Sequence, residues 1–223
     1  AVSLLAAELS RQMGCLRGKG KFSDKVVTRF SLYLRYLEQV EGEGIYLVTS
    51  SQIAQALHVT AAQVRRDLSY LGQLGLAGVG YSVKKLVSSL EKILGLNKKW
   101  PMALVGAGNL GAALFSYSGF RRRGFEIIAI FDKDPDKIGT RWANVAILDI
   151  TRLPETVKQK GIKIGVIAVP HYAAQEVADR LVSSGVKAIL NFSPCKIRVP
   201  ESVKLQDVDV SIELETLSWF LVQ

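Results

Sequence analysis

Residues 102–114 read MALVGAGNLGAAL: a short apolar run, glycines at 106, 108 and 111, then an apolar stretch with helical spacing. Few patterns restrict a fold as strongly. A strand must end at Val105 and a helix must open near Asn109, with a tight turn between them that requires Gly106. Gly108 lets the backbone approach a pyrophosphate, and Gly111 lets helix and strand pack closely. Unpaired N–H groups at the helix start, with their partial positive charge, suit phosphates. Alone the pattern is common among turns; its neighbours decide. The strand EIIAIFD ends in Asp132, 21 residues after Gly111, where an acid accepts hydrogen bonds from adenosine ribose hydroxyls. A carboxylate there repels a 2′-phosphate, which predicts NAD(H) in preference to NADP(H). The plain alternative is that Asp132 caps the turn DKDPDK, in which Asp134 and Asp136 are turn residues.

Apolar runs recur at 102–105, 126–131, about 145–148, 164–169, 187–190 and 203–210, with helical patterns between most of them. That alternation predicts an α/β fold, a mostly parallel sheet with helices on both faces, followed by a last helix, SIELETLSWFLV. Ligands of such sheets bind beyond the carboxyl ends of the strands. The loops VPHY (169–172) and NFSP (191–194) are therefore expected on the nicotinamide side. The candidate cofactor set is Gly106, Ala107, Gly108, Asn109, Leu110, Gly111, Asp132, Lys133, Val169, Pro170, Asn191 and Phe192. His171 is the one histidine available there as an acid–base group. No substrate domain follows it and no Lys or Arg clearly pairs with it, so the site reads as one that holds a nucleotide, with no catalytic residue. Arg121, Arg122 and Arg123 fit a helix C-terminus before Gly124.

The 223 residues allow one or two domains, and 48% hydrophobic residues with 6 Pro argue against disorder. No apolar run reaches the roughly 18–20 residues that cross a bilayer, and the charges after AVSLLAAELSRQ stand in the wrong place for a secretory signal. The opening residues are expected to form a short helical arm. Two cysteines, Cys15 and Cys195, give neither a disulfide framework nor metal-ligand spacing, which fits reduced thiols in the cytoplasm. The net charge of +9 is uneven: residues 1–100 hold 14 Lys/Arg against 7 Asp/Glu, and residues 101–223 hold 15 against 13. The excess lies in the half without the glycine motif, so two jobs are implied, one with a polyanion.

A boundary is expected at GLNKKWP, residues 95–101. Before it, Ser23 is placed to cap a helix with Val27, Phe30, Leu34, Leu37 and Val40 on one face. A strand or turn at IYLVTS and the helix SSQIAQALHV follow, the latter with Ile53, Ala54 and Leu57 inward and small Ala54 and Ala56 allowing a close crossing. Thr60 and Gln63 form a capping-box signature for the next helix. Val64, Leu68 and Leu71 then face the core, and Arg65, Arg66, Ser69 and Tyr70 face outward, with Gln63 near the helix start. Two short helices around a turn at His58, the second carrying Arg, Gln and Ser outward, match a major-groove reader. The plain alternative is solvated charge. The glycine-rich GQLGLAGVGY fits a wing, and the helix VKKLVSSLEKIL closes the half.

Taken together, VRRDLSYLG, GVGY, ALVGAGNLG, SYSGFRRRGFEIIAIFD, NFSP and VDVSIELETLSWFL resemble the Rex family of redox-sensing transcriptional repressors, from about Ser23 onward. That resemblance implies homodimers whose winged-helix domains read a palindromic operator and whose Rossmann domains bind NADH or NAD+. It implies that NADH closes the dimer and releases DNA, and that the last helix swaps into the partner. It divides the chain into an extension (1–22), a winged-helix domain (23–95), a Rossmann domain (96–210) and a swapped helix (211–223). It assigns Arg65, Arg66, Ser69 and Tyr70 to DNA, the glycines and Asp132 to the cofactor, and Arg29, Tyr117 and Asp209 to a polar switch. The wing departs from the family: Leu76 and Ala77 stand where basic residues are usual, which forfeits charge contacts there. Independently, Leu214, Leu217, Trp219, Phe220 and Leu221 make an apolar terminal helix that needs a cover.

The reading these features favour is a cytoplasmic sensor of the NADH/NAD+ ratio that binds DNA as a homodimer. The alternatives are an NAD-dependent oxidoreductase with an N-terminal dimerisation region, resting on His171, and a module for another nucleotide or coenzyme A, against which Asp132 argues.

Overall fold

The structure, a computed structural model, describes residues 22–76 and 79–222. The expected N-terminal arm with Cys15 and the wing-tip Ala77 lie outside the described residues, as does the side chain of Leu76. The chain forms two compact units, one closing at Asn97 and the next opening at Lys98.

The first unit is built on helix α1 (Asp24–Gly42), whose Phe30, Tyr33, Leu34, Leu37 and Val40 are buried at spacings of three and four. Val27, expected on that face, is exposed, and Tyr33 is inside. Ser23 precedes the helix and its carbonyl accepts from Val26 and Val27, while its hydroxyl makes no cap. Strand β1 (Leu47–Val48) leads to helix α2 (Ser50–Ala56) and then to helix α3 (Ala61–Ser69). The reciprocal capping box opens α2, formed by Thr49 and Gln52. At α3 only half of the expected box exists: Thr60 Oγ1 accepts from Gln63 N at 3.1 Å, but the Gln63 side chain turns to Asp67. The chain reverses between the helices at His58, in the left-handed region at φ 52°. Ile53 and Ala54 are buried and Leu57 packs at the margin of the core, whereas Ala56 is exposed.

Strands β2 (Gly75–Leu76) and β3 (Gly80–Ser82) make a hairpin, and β3 also pairs with β1, giving the antiparallel order β1-β3-β2. Helix α4 (Val83–Leu94) packs Val83, Leu86 and Leu90 into the same core and ends at Gly95, whose φ of 72° suits a residue without Cβ.

The second unit alternates strand and helix: β4 (Trp100–Val105), α5 (Asn109–Ser116), α6 (Ser118–Arg122), β5 (Phe125–Asp132), β6 (Arg141–Trp142), β7 (Val145–Asp149), α7 (Leu153–Gln159), β8 (Ile164–Ile167), α8 (His171–Ser183), β9 (Ala188–Asn191), β10 (Lys204–Asp207) and α9 (Val210–Leu221). The seven strands lie in the order β10-β9-β8-β4-β5-β7-β6, all parallel except the β6–β7 pair. The order reverses at β4, so the crevice beyond Val105 is the place where such sheets take ligands. Two apolar layers cover the sheet. Ala103, Val105, Phe131, Ile167 and Ile189 pack under α7 and α8, and Met102, Leu104, Ile130 and Val166 pack under α5 and α6. The run at 203–210 divides, because pairing with β9 stops at Asp207 and Val210 already belongs to α9.

Candidate functional site

The turn after β4 shows why Gly106 and Gly111 are needed. Gly106 has φ 107°, and a Cβ there would run into the carbonyl oxygen of Ala168 at the end of β8. At Gly111 a Cβ would strike the Gly106 carbonyl oxygen, so α5 could not lie against the turn. Gly108 faces open space and stands at the N-terminus of α5 without any side-chain cap, leaving the first N–H groups free for an anion.

Asp132, at the end of β5, caps its own turn and also lines the cleft. Its Oδ1 accepts from Lys133 N (2.8 Å) and Asp134 N (3.0 Å), so it does cap its own turn. Its Oδ2 accepts from Ala107 N at 2.7 Å, tying the acid to the glycine turn, and Lys137 Nζ lies 3.6 Å away. Burial opposes the charge, but the N–H groups of Asp134 and Ala107 and the nearby Lys137 outweigh it and hold the carboxyl below the usual range. Asp132 stays an anionic acceptor facing the cleft.

That cleft has a volume of about 570 Å³. Gly106, Gly108, Asp132, Lys133, Val169 and Pro170 line it. Tyr172, the last residue of the expected VPHY stretch, lines the cleft; Glu176 and Arg180 further along α8, with Ile150 and Val177, line it too and were not anticipated. The signal was present: residues 172, 176 and 180 share a face of a helix that starts where a strand ends. Lys133 Nζ sits 5.5 Å from the centre of the Tyr172 ring. Ala107, Asn109 and Leu110 belong to the turn and the first helical residues, and Leu110 is exposed.

Asn191, expected at the cofactor, is fully buried. Its Nδ2 donates to Asp207 Oδ1 (2.8 Å) and Cys195 O (3.0 Å), and its Oδ1 accepts from Ser193 N (3.0 Å). The side chain therefore shapes the NFSP loop from inside, and the neighbouring Phe192 packs on the Leu104 layer. His171 opens α8, exposed, with its ring edge-on to Tyr172 at 5.7 Å.

In the first unit α3 exposes Arg65, Arg66 and Ser69, with Tyr70 just after it, while Val64 and Leu68 are buried. Arg65 Nη1 donates to Ser50 Oγ at 3.2 Å, Ser69 Oγ to Arg66 O at 2.7 Å, and the Tyr70 ring meets Phe22 edge-on. Beside them, Thr49, Ser50, Ser69, Gly75 and Tyr81 line a groove of about 670 Å³ between α3 and the wing. Asp67 was missed. It is a fully buried carboxylate on the core face of α3, held by Arg29 Nε (2.6 Å), Arg29 Nη2 (2.9 Å), Tyr33 Oη (2.8 Å) and Gln63 Nε2 (2.8 Å). Burial works against its charge, yet the bonds from Arg29, Tyr33 and Gln63 prevail and its pKa falls. An acid at an apolar position of the 64-67-68-71 stripe was the legible sign.

Arg29 thus lies bidentate on Asp67. Tyr117 packs edge-on against Phe120 at 5.2 Å, and Asp209 caps α9 by accepting from Ser211 N at 2.9 Å. No residue of α9 is buried, and Leu214, Leu217, Trp219 and Phe220 are all exposed. Among the described residues, no helix is long and apolar enough to cross a membrane, and no group of His, Cys, Asp and Glu could hold a metal ion.

Comparison with known proteins agrees with this division. Residues 21–69 match the family described as "Putative DNA-binding protein N-terminus", and residues 97–195 match the CoA binding domain. The redox-sensing transcriptional repressor Rex of Pelotomaculum thermopropionicum is 48% identical over 203 residues, covering 91% of this chain and 95% of that protein. The Rex of Carboxydothermus hydrogenoformans is 49% identical over 199 residues, with 89% and 96% covered. Among solved structures, RSP in complex with β-NAD+ and operator DNA superposes with a TM-score of 0.86 at 38% identity, covering 91% of this chain and 94% of that one. RSP in complex with β-NADH gives 0.82 at 37% identity, with 91% and 95% covered. With the helix-turn-helix, the nucleotide turn and near-full-length identity all in accord, the chain belongs to the Rex family of redox-sensing transcriptional repressors.

Proposed function

We propose that the protein is a transcriptional repressor that binds a palindromic operator as a homodimer in the cytoplasm and leaves it when NADH occupies the cleft. The observation that carries this is the conjunction, in one chain, of an α3 exposing Arg65, Arg66 and Ser69 with a glycine turn strapped to Asp132. In this reading residues 23–95 read DNA, 96–210 bind NAD(H), and 211–223 pack on the second copy, which covers the apolar face of α9. Arg65, Arg66, Ser69 and Tyr70, with Gln63, meet the operator. Gly106–Gly111 hold the pyrophosphate, Asp132 the ribose, and Val169 and Pro170 the nicotinamide end.

The mechanism is a linkage. NADH drives release only through a higher affinity for the dimer that does not fit DNA. About 3 kcal/mol of such coupling changes operator affinity roughly 150-fold. Arg29, Tyr117 and Asp209 contribute by exchanging hydrogen bonds between the two states. Arg29 is then drawn from a bidentate bond on Asp67, so Asp67 opposes the exchange. The nucleotide is read as a signal and not consumed, and His171 is no catalyst.

The test is binding to palindromic DNA while NADH, NAD+ and NADPH are titrated separately. NADH should weaken binding by one to two orders of magnitude, NAD+ should compete with NADH yet permit binding, and NADPH should do little. Equal occupancy under all three, or steady NADH oxidation with a panel of aldehydes and ketones, would overturn the reading. Asp209→Ala should bind both ligands with little mutual effect; unchanged NADH-driven release removes this trio from the switch.

A further inference from the structure

Asp67 has three partners, and only Gln63 lies on the helix assigned to DNA. An ionised carboxylate accepts hydrogen bonds and donates none. Arg29, bidentate at 2.6 and 2.9 Å, keeps Asp67 ionised and fixed in place. Gln63 therefore has one acceptable orientation: its amino group points in, to Asp67 Oδ1 at 2.8 Å, because a flipped amide would set oxygen against oxygen. The carbonyl Oε1 then turns away, and it takes no hydrogen bond among the described residues. Gln63 is half-exposed and lies in the first turn of α3, the part of a reading helix that meets base edges.

A glutamine free to rotate about its last bond can lead with a donor or with an acceptor, and so tolerates several bases. A locked one cannot. In the major groove an outward acceptor pairs with the exocyclic amino groups, N6 of adenine or N4 of cytosine, and is opposed by guanine O6 and N7 and thymine O4. The geometry points to Asp67 as the positioning residue of base recognition: by holding the Gln63 amino group it makes Gln63 a reader of one exocyclic amino group in each operator half-site. This rests on the proposal that α3 enters the major groove. It adds that the base choice is set by a buried carboxylate that never touches DNA.

The experiment scans a half-site with nucleotides lacking the amino group, nebularine for adenine and zebularine for cytosine, using full-length protein and fluorescence anisotropy. One position should show an amino-deletion penalty of about tenfold or more in the wild type. The penalty should vanish in Gln63→Ala and shrink below about threefold in Asp67→Asn, while penalties at other positions persist. A general loss of helix packing would lower all positions together, so position-specific loss separates positioning from structure. If Asp67→Asn fails to fold, Gln63→Asn decides: its amide is a methylene too short to reach Asp67 and a base together, and it must lose the penalty. A penalty equal in wild type and Gln63→Ala at every position, or retained in full by folded Asp67→Asn or by Gln63→Asn, overturns the inference. Wild-type protein that prefers no palindrome over unrelated duplex overturns the DNA reading of α3 itself; specific binding without an amino-dependent position overturns only the role of Asp67.

Discussion

Replacing Asp132 with Asn separates two functions that share one carboxylate. Its oxygens accept from Ala107, Lys133 and Asp134 N–H groups, and a carboxylate offers roughly four acceptor positions, so one remains for a ribose hydroxyl. Asparagine keeps one oxygen and turns an amino group toward a backbone N–H. The ribose loses a bond to a charged acceptor, about 1.5–3 kcal/mol, which is roughly a 10- to 150-fold weaker affinity for NADH. Independently, an orphaned N–H on the Ala107 side or the Lys133–Asp134 side costs the second unit about 1–3 kcal/mol of stability. NADPH should lose much less, because the repulsion of its 2′-phosphate goes with the charge. Nucleotide fluorescence gives both affinities, and urea unfolding without nucleotide gives the stability. An NADH affinity within twofold of wild type, or equal losses for NADH and NADPH, refutes Asp132 as the ribose acceptor. A full loss of NADH binding with unchanged unfolding refutes its role in holding the turn.

Gly111→Ala pushes a methyl group into the Gly106 carbonyl, so NADH binding should drop at least tenfold and the second unit should lose about 1–3 kcal/mol, while DNA affinity without nucleotide persists; gel shift and NADH titration check both. Tyr33→Phe removes one of four hydrogen bonds to buried Asp67 and should destabilise the first unit by about 1.5–3 kcal/mol in urea, leaving NADH binding unchanged. Asp67 has a lowered pKa, so its contribution is full above an unfolded value of about 4 and is lost as pH falls through the lower folded value. Circular dichroism from pH 6 down to 2 should show the first unit unfolding more steeply in wild type than in Asp67→Asn. Leu217→Asp on the exposed α9 should shift sedimentation toward the monomer and weaken operator binding.

The glycine turn, the alternating elements and the outward arginines were legible because each rests on local rules: a turn that admits no Cβ, a 3.6-residue period, a strand that ends in an acid. Side chains whose partners lie far along the chain were not. Arg29 and Asp67 stand 38 residues apart, and nothing in the neighbourhood of Arg29 marks it as one half of a bidentate pair. Asn191 looked like a ligand contact because it follows a strand, but its amide spans 16 residues to Asp207, a pairing only the β9–β10 register creates. The capping signature misled for a related reason: Thr60-x-x-Gln63 has the local chemistry, and a buried carboxylate outcompetes the backbone for the glutamine. The lining on α8 was legible only at Tyr172, within the VPHY stretch; Glu176 and Arg180 share its helix face but form no motif of their own.

The Asn191 amide has a mechanical consequence. It fastens the Ser193–Cys195 bend to the tail of β10, and Val208 N adds a second tie by donating to Asn191 O at 2.8 Å. Two residues later the backbone enters α9 through the Asp209 cap. The bend at the ligand end of the sheet and the root of the terminal helix are thereby joined through the hydrogen bonds of one residue. A displacement of the bend would therefore have to stretch these ties or carry the start of α9 with it.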